Sequence, residues 1–347
     1  MSRSWAARVR RLIAQTGPIP VARFMGESNA HYYATRDPLG MAGDFVTAPE
    51  ISQMFGELIG LWLADLWERA GRPGGAVYAE LGPGRGTLAK DALRAMAGAG
   101  LHPETHLVEG SPALRRVQAA AVPGARFHDD PSSLPAQRSL LLVANEFLDA
   151  LPIRQLVRTP DGWRERMVGL RDGALAFVAG PAVLDTLLPA LPADAPVDTI
   201  VEVNPGAAAV VADIGHRIAQ AGGAALFVDY GHLAPRSGST LQAVKAHCKA
   251  GALDAPGEAD LSAHVDFAAL AEIARNVGCR VSLTTQGDWL TTMGIDLRTA
   301  ALSRIQPARA EAIAAARDRL VHPGAMGELF KVLAIVAPGW PDAAGFG

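Results

Sequence analysis

The apolar positions of this 347-residue chain fall into short continuous runs separated by amphipathic stretches, the pattern of strands interleaved with helices. The clearest unit is residues 76–86, Ala-Val-Tyr-Ala-Glu-Leu-Gly-Pro-Gly-Arg-Gly. Val77, Tyr78 and Leu81 have the character of a short buried strand, and from Thr87 onward Leu88, Ala92, Leu93 and Met96 recur at helical spacing. Strand, glycine turn and helix make the first half of a βαβ unit. Thr105-His-Leu-Val-Glu109 reads as a second strand, residues 125–127 before His128-Asp129-Asp130 as a third, and residues 139–144 as a parallel strand buried on both faces. A further buried strand ends at Asp229, and residues 280–285 and 329–336 close the sheet as a hairpin. The expected fold class is therefore α/β and Rossmann-like, with a mostly parallel seven-stranded sheet and helices on both faces.

Around that core, Trp5, Val9, Leu12 and Ile13 form a helical stripe, and Gly17-Pro18-Ile19-Pro20 breaks it. Residues 32–45 are polar, aromatic and glycine-punctuated, a loop. Thr47-Ala-Pro49-Glu50 has capping-box spacing ahead of a helix over 51–67. Residues 153–180 alternate like a β-hairpin with a turn at Pro160-Asp161-Gly162, and 183–196 are proline-broken. The expected organisation is an N-terminal helical extension with an active-site loop (1–70), a core (71–152 and 198–340), a hairpin and irregular insertion (153–197), and a loop over the active face (236–260).

Composition narrows the function classes. A net charge of −3 with no aromatic-basic stripe disfavours nucleic acid, and no run reaches the roughly 18 to 20 apolar residues of a membrane span. Cys248 and Cys279 stand apart with no C-x-x-C partner, so no metal cluster is expected and a reducing compartment is the default. The N-terminus has arginines and serine but no acid before Glu27, as a mitochondrial transit peptide would; a docked helix accounts for its apolar stripe equally well.

The chemistry of the glycine turn depends on spacing. Glu80-x-Gly82-x-Gly84-x-Gly86 is neither the G-x-G-x-x-G of dinucleotide sites nor a P-loop, because no Lys-Ser/Thr follows. Glu109 lies 29 positions beyond Glu80 (109 minus 80), about one βαβ repeat. A carboxylate at that strand tip can accept both hydroxyls of an adenosine ribose, or can cap the helix that begins near Ser111. Asp129 can meet an adenine amino group or belong to a turn. Residues 139–144 deliver Asn145, Glu146 and Asp149 to the carboxyl end of the sheet, where ligands bind in open α/β folds.

Taken together, Tyr32-Tyr33, Gly43-Asp44-Phe45-Val-Thr47-Ala-Pro-Glu50, Glu80-Leu-Gly-Pro-Gly-Arg-Gly86, Asn145-Glu146-Phe-Leu-Asp149-Ala-Leu-Pro152, Asp229-Tyr-Gly231 and Met326-Gly-Glu-Leu-Phe330-Lys331 resemble the MidA family of class I S-adenosylmethionine-dependent methyltransferases. That family includes the mitochondrial complex I assembly methyltransferase. The resemblance covers nearly the whole chain; Thr240-Leu-Gln-Ala-Val244 departs from the family's Thr-Leu-Arg-Gly-Tyr segment. It implies a class I methyltransferase fold, S-adenosylmethionine as cofactor, and methylation of a protein arginine on a respiratory complex I subunit or its bacterial equivalent. The implied cofactor residues are Gly43, Glu80, Gly82, Pro83, Gly84, Gly86, Glu109, Asp129 and Asn145. Carboxylates that grip a guanidinium would be Glu146 and Asp149, then Asp229 and Asp44, with helix capping competing for Asp149 and loop fixing for Asp44. Tyr32 and Tyr33 are candidates to wall the cofactor or substrate. The expected setting is the bacterial cytoplasm, or the mitochondrial matrix in a eukaryote, with neither nucleic acid nor membrane insertion and with a homodimer left open. Rival readings are a cofactor-binding assembly chaperone without turnover and a small-molecule methyltransferase.

Overall fold

The computed structural model describes residues 5–35, 47–184, 194–245 and 248–346. They fall into two compact units, one of residues 1–45, 149–207 and 235–264, the other of residues 46–148, 208–234 and 265–347.

The second unit holds the large sheet. Its principal strands are β1 (Val77–Leu81), β2 (Glu104–Val108), β3 (Arg126–His128), β4 (Leu140–Asn145), β5 (Gly223–His232), β6 (Arg280–Thr285) and β7 (Phe330–Val336). They lie in the order β6-β7-β5-β4-β1-β2-β3, and Val265–Asp266 adds an eighth, two-residue strand beside β5. The pairs β1 with β2, β1 with β4, β2 with β3 and β4 with β5 are parallel; β7 is antiparallel to both β5 and β6. The terminal hairpin expected from residues 280–285 and 329–336 is thus present. Chain order reverses between β1 and β4, which makes their carboxyl ends the topological switch point of the sheet.

One sheet face presents Tyr78, Leu141, Val143, Leu226, Val228, Val332 and Ala334 to the helices Gln53–Arg69 and Thr87–Gly98. Alternate residues such as Ala79, Leu81, Leu140, Leu142 and Phe227 are equally buried, so both faces are covered, as continuous apolar strands require. Where the two helices cross, small residues allow close approach: a Cβ on Gly60 would lie 2.3 Å from the carbonyl oxygen of Ala92. Glu57, four residues earlier than Leu61 and buried, accepts hydrogen bonds from Arg94, Arg298 and Gln53. Burial opposes its charge, but the bonds from Arg298 and Arg94 prevail and hold the carboxyl below its ordinary value.

Capping in this region differs from expectation. Thr47 precedes a single turn, Ala48–Ile51, without a side-chain cap bond, and the long helix starts only after Ser52, whose hydroxyl accepts from the Met54 amide at 3.2 Å. The extended conformation of Ser52 breaks what periodicity suggested was one helix.

The first unit contains the helices Trp5–Thr16 and Val21–Thr35 and two antiparallel sheets. The expected hairpin, Arg154–Thr159 with Gly162–Arg171, is widened by Ala174–Val183, Ile200–Val203 and Ile19–Pro20. Residues 236–260, read as a loop for lack of periodicity, contribute Gln242–Lys245 and Cys248–Ala250, which join Asp260–Ser262 in a three-stranded sheet. Strands this short leave too few alternations to register as a pattern. Val9, Ile13, Phe24, Met25, Val168, Leu261 and Ala263 form this unit's core, so the N-terminal apolar stripe is a packing face.

Replacing Gly60 with alanine drives a methyl into the Ala92 backbone, which cannot rotate away. Urea unfolding of Gly60→Ala should show a loss of about 1–3 kcal/mol, whereas a neutral result would mean the two helices can separate freely.

Candidate active site

The glycine turn forms as its sequence requires. Gly82, Gly84 and Gly86 all have positive φ (61°, 53° and 79°), and the Gly86 amide donates to the Pro83 carbonyl at 2.7 Å. Gly82 also donates to Val108, tying the end of β1 to the end of β2. A Cβ on Gly82 would come within 2.9 Å of the Phe147 ring, so a side chain here is excluded by space as well as by dihedral. Gly86 is the N-cap of Thr87–Gly98 and supplies no capping side chain, leaving the first helical amides and the positive end of the dipole at the loop.

Glu80, one residue before the end of β1, is buried and accepts from the Tyr78 hydroxyl at 2.6 Å. Burial pushes its carboxyl up to about 7, although the Tyr78 bond works the other way. Burial, with the neighbouring Glu80 charge, raises the Tyr78 phenol well above its ordinary value.

Glu109 stands just past the tip of β2. One carboxylate oxygen accepts from the Ser111 amide at 2.7 Å and the other from Gln118 Nε2 at 3.1 Å. Ser111, rather than Glu109, caps the helix Pro112–Ala121 through Leu114. Gln118 also donates to the Gly84 carbonyl at 2.7 Å, which joins the glycine turn to Glu109. No residue pattern marked Gln118 in advance. Asp129 has an 89% exposed side chain and pairs with Arg115, while Asp130 caps Pro131–Ser133.

At the end of β4, Glu146 has a φ of 51°, a conformation glutamate rarely adopts. Its amide donates to Val228 at 2.9 Å, and its carboxylate accepts from the Ala48 amide at 3.2 Å and from Asn145 Nδ2 at 3.1 Å. Asp229 is 1% exposed, and its carboxylate receives the amides of Phe147, Leu148 and Tyr230 at 3.1, 2.9 and 3.0 Å. That carboxylate organises the turn after β4. The second unit thus brings together Glu80, the three glycines, Pro83, Glu109, Asn145, Glu146 and Asp229.

Asp149 belongs to the first unit, where it is buried and its carbonyl accepts from the Ala263 amide at 3.0 Å. Nearby, the Tyr33 hydroxyl donates to Asp260 at 2.8 Å, and burial together with Asp260 and Asp149 raises the Tyr33 phenol. Tyr32 is fully buried and meets Tyr33 edge to face. Gly43 and Asp44 lie outside the described residues.

Comparison with known proteins agrees with this arrangement. Residues 58–285 match the family described as "Putative S-adenosyl-L-methionine-dependent methyltransferase". The mitochondrial protein arginine methyltransferase NDUFAF7 of Xenopus tropicalis is 36% identical over 96% of this chain and 87% of its own length, and that of Homo sapiens 35% identical over 93% and 81%. A crystal structure from Burkholderia thailandensis bound to S-adenosyl-homocysteine superposes with a TM-score of 0.85 at 29% identity, covering 98% of this chain and 93% of that one. The chain belongs to the family of S-adenosylmethionine-dependent methyltransferases, with S-adenosylmethionine as its cofactor.

The residues present suit that cofactor. An uncapped helix start can receive its carboxylate, and an acid past β2 can receive a vicinal diol. The buried Glu80 carboxyl, raised to about 7, would be drawn toward its ionised form by a nearby sulfonium or ammonium group. No group of three or more His, Cys, Asp or Glu among the described residues could hold a metal.

The Glu80 carboxyl also makes a pH prediction. Its folded value lies above the unfolded one, so it contributes no penalty below about pH 4.5; as pH rises toward 7 the unfolded chain sheds this proton first and stability falls. Without cofactor, Glu80→Gln should gain on the parent protein between pH 4.5 and 7, by about 3 kcal/mol at the upper end. Urea unfolding at pH 5 and pH 8 that gives the same difference at both would contradict this.

Proposed function

We propose that this methyltransferase modifies an arginine side chain of a protein. Support comes first from Glu146, a carboxylate held at the switch point in a left-handed backbone conformation, its amide donating to Val228. Strain of about 1–3 kcal/mol retained at a ligand-facing turn is a recurrent mark of function. Phe147, the next residue, packs on Gly82 of the glycine turn, which supports reading Glu146 as a neighbour of the cofactor. The names of the relatives give the substrate class.

The chemistry is consistent with such a residue. Methyl transfer from a sulfonium needs in-line approach of a nitrogen lone pair, and the protein contributes chiefly position. A guanidinium is a poor nucleophile because its charge is delocalised and its pKa is very high. A fixed carboxylate can grip two N–H groups, orient the plane and draw positive charge away from the attacking nitrogen. Glu146 fills this role with one oxygen already positioned by Ala48 and Asn145. The glycine turn, Glu80, Glu109 and Asn145 hold the cofactor, and Asp229 acts by fixing the Glu146 turn; for Asp149 and Asp44 a catalytic role rests on the family resemblance alone. The resemblance to the MidA family extends the reading to a complex I subunit as substrate, and to complex I assembly in the cytoplasm of a bacterium. No helix among the described residues is long and apolar enough to cross a membrane.

The test pairs binding with turnover. Glu146→Gln should bind S-adenosylhomocysteine as the parent protein does while lowering transfer of labelled methyl groups to lysate protein by about 10²-fold or more, the scale of an oriented catalytic group. Mass spectrometry should place the parent enzyme's label on arginine. Undiminished transfer by the variant removes Glu146 from catalysis, label on another residue type overturns the arginine reading, and binding without label favours a chaperone.

A further inference from the structure

The helix Pro112–Ala121 has one fully buried residue, and it is a glutamine. Burying a primary amide costs free energy unless its hydrogen bonds are made, so a helix that buries only Gln118 does so for those bonds. Nε2 makes two, to the Gly84 carbonyl and to the Glu109 carboxylate, while Oε1 is buried with no partner among the described residues. Two acceptors fix the amide's orientation, since a carbonyl oxygen in that place would face two other oxygens. The helix is also seated against the loop: a Cβ on Gly86 would lie 3.3 Å from the Ala121 methyl and 3.6 Å from the Gln118 Cα.

We infer that Gln118 is a positioning residue for the cofactor: a strut that sets the separation between the carboxylate that receives the ribose hydroxyls and the glycine turn that receives the amino-acid end. The inference rests on reading Glu109 as the ribose acid. Each Glu109 oxygen takes one bond from the protein, to Ser111 or Gln118, and a carboxylate has about four acceptor directions, so one on each oxygen remains for a vicinal diol. Gln118 thereby aims the second oxygen and couples it to Gly84. The ligand feature served is a nucleoside with a free cis-diol, tethered at a fixed length to an amino acid.

The test is calorimetric titration of the full chain with S-adenosylhomocysteine. Gln118→Met keeps the volume and deletes the strut. It should weaken binding about tenfold, the loss of one buried charge-assisted bond, and raise KM for S-adenosylmethionine with kcat within about twofold. In a Glu109→Ala background the same change should cost less than about threefold. Gln118→Glu places a second carboxylate against Glu109, so its affinity should fall as pH rises from 5 to 8, a dependence that loss of packing alone would not create. Equal losses in both backgrounds, a pH-independent Gln118→Glu variant, or a Gln118→Met variant with normal affinity overturns the strut. If Glu109→Ala alone binds normally, the ribose reading falls and takes the strut with it; if Glu109→Ala binds weakly but Gln118→Met does not, only the strut falls.

Discussion

Everything at the switch point depends on the Asp229 carboxylate. Buried within β5, three residues before its last, it satisfies three amides, two of which belong to the residues that follow Glu146. Without it, each of those amides would lose a charge-assisted bond of about 1.5–3 kcal/mol, and the turn that follows the left-handed Glu146 would lose two of its ties to β5. Phe147, held by the same bond, fills the space that a side chain on Gly82 would need. From Gly82 the connection runs through Gly84 to Gln118 and then to Glu109. A continuous set of contacts, partly packing and partly hydrogen bonds, thus runs from Glu146 to Glu109.

This continuity explains why an acid at a strand tip need not be a chemical acid. Glu146 follows β4 and Asp229 lies within the adjacent parallel β5, each at the end of a similarly apolar run, yet Asp229 is spent on backbone amides and Glu146 is presented beside them. Glu80 is different again: buried behind the glycine turn and raised to about 7, it shapes the charge that the loop accepts. A nearby sulfonium or ammonium group would draw this carboxyl toward its ionised form.

Much of this was legible in the chain. Residues 139–144 were visible as a buried strand because strands covered on both faces do not alternate, and β5 and the antiparallel β7 showed for the same reason. The positions of the glycine turn, Glu109 and Glu146 at strand ends were visible because each follows a short apolar run. Gln118 was not, because a glutamine in an alanine- and arginine-rich helix reads as solvated surface until its neighbours are known. The first unit's wider sheet was hidden in another way: Ile19–Pro20 and Ile200–Val203 join it across long stretches of chain, and periodicity carries no information about such pairings. Ser52 escaped notice because Thr47-Ala-Pro-Glu50 offered a better capping pattern five residues earlier, and local pattern does not reveal that the helix would break.

The central claim is that the glycine turn and Glu109 bind a nucleoside joined to an amino acid rather than a dinucleotide. Titration of the full chain with S-adenosylhomocysteine, repeated in excess NAD, tests it most directly. The account predicts one S-adenosylhomocysteine per chain with an affinity that NAD leaves unchanged. Competition by NAD, or no binding of S-adenosylhomocysteine, would contradict it.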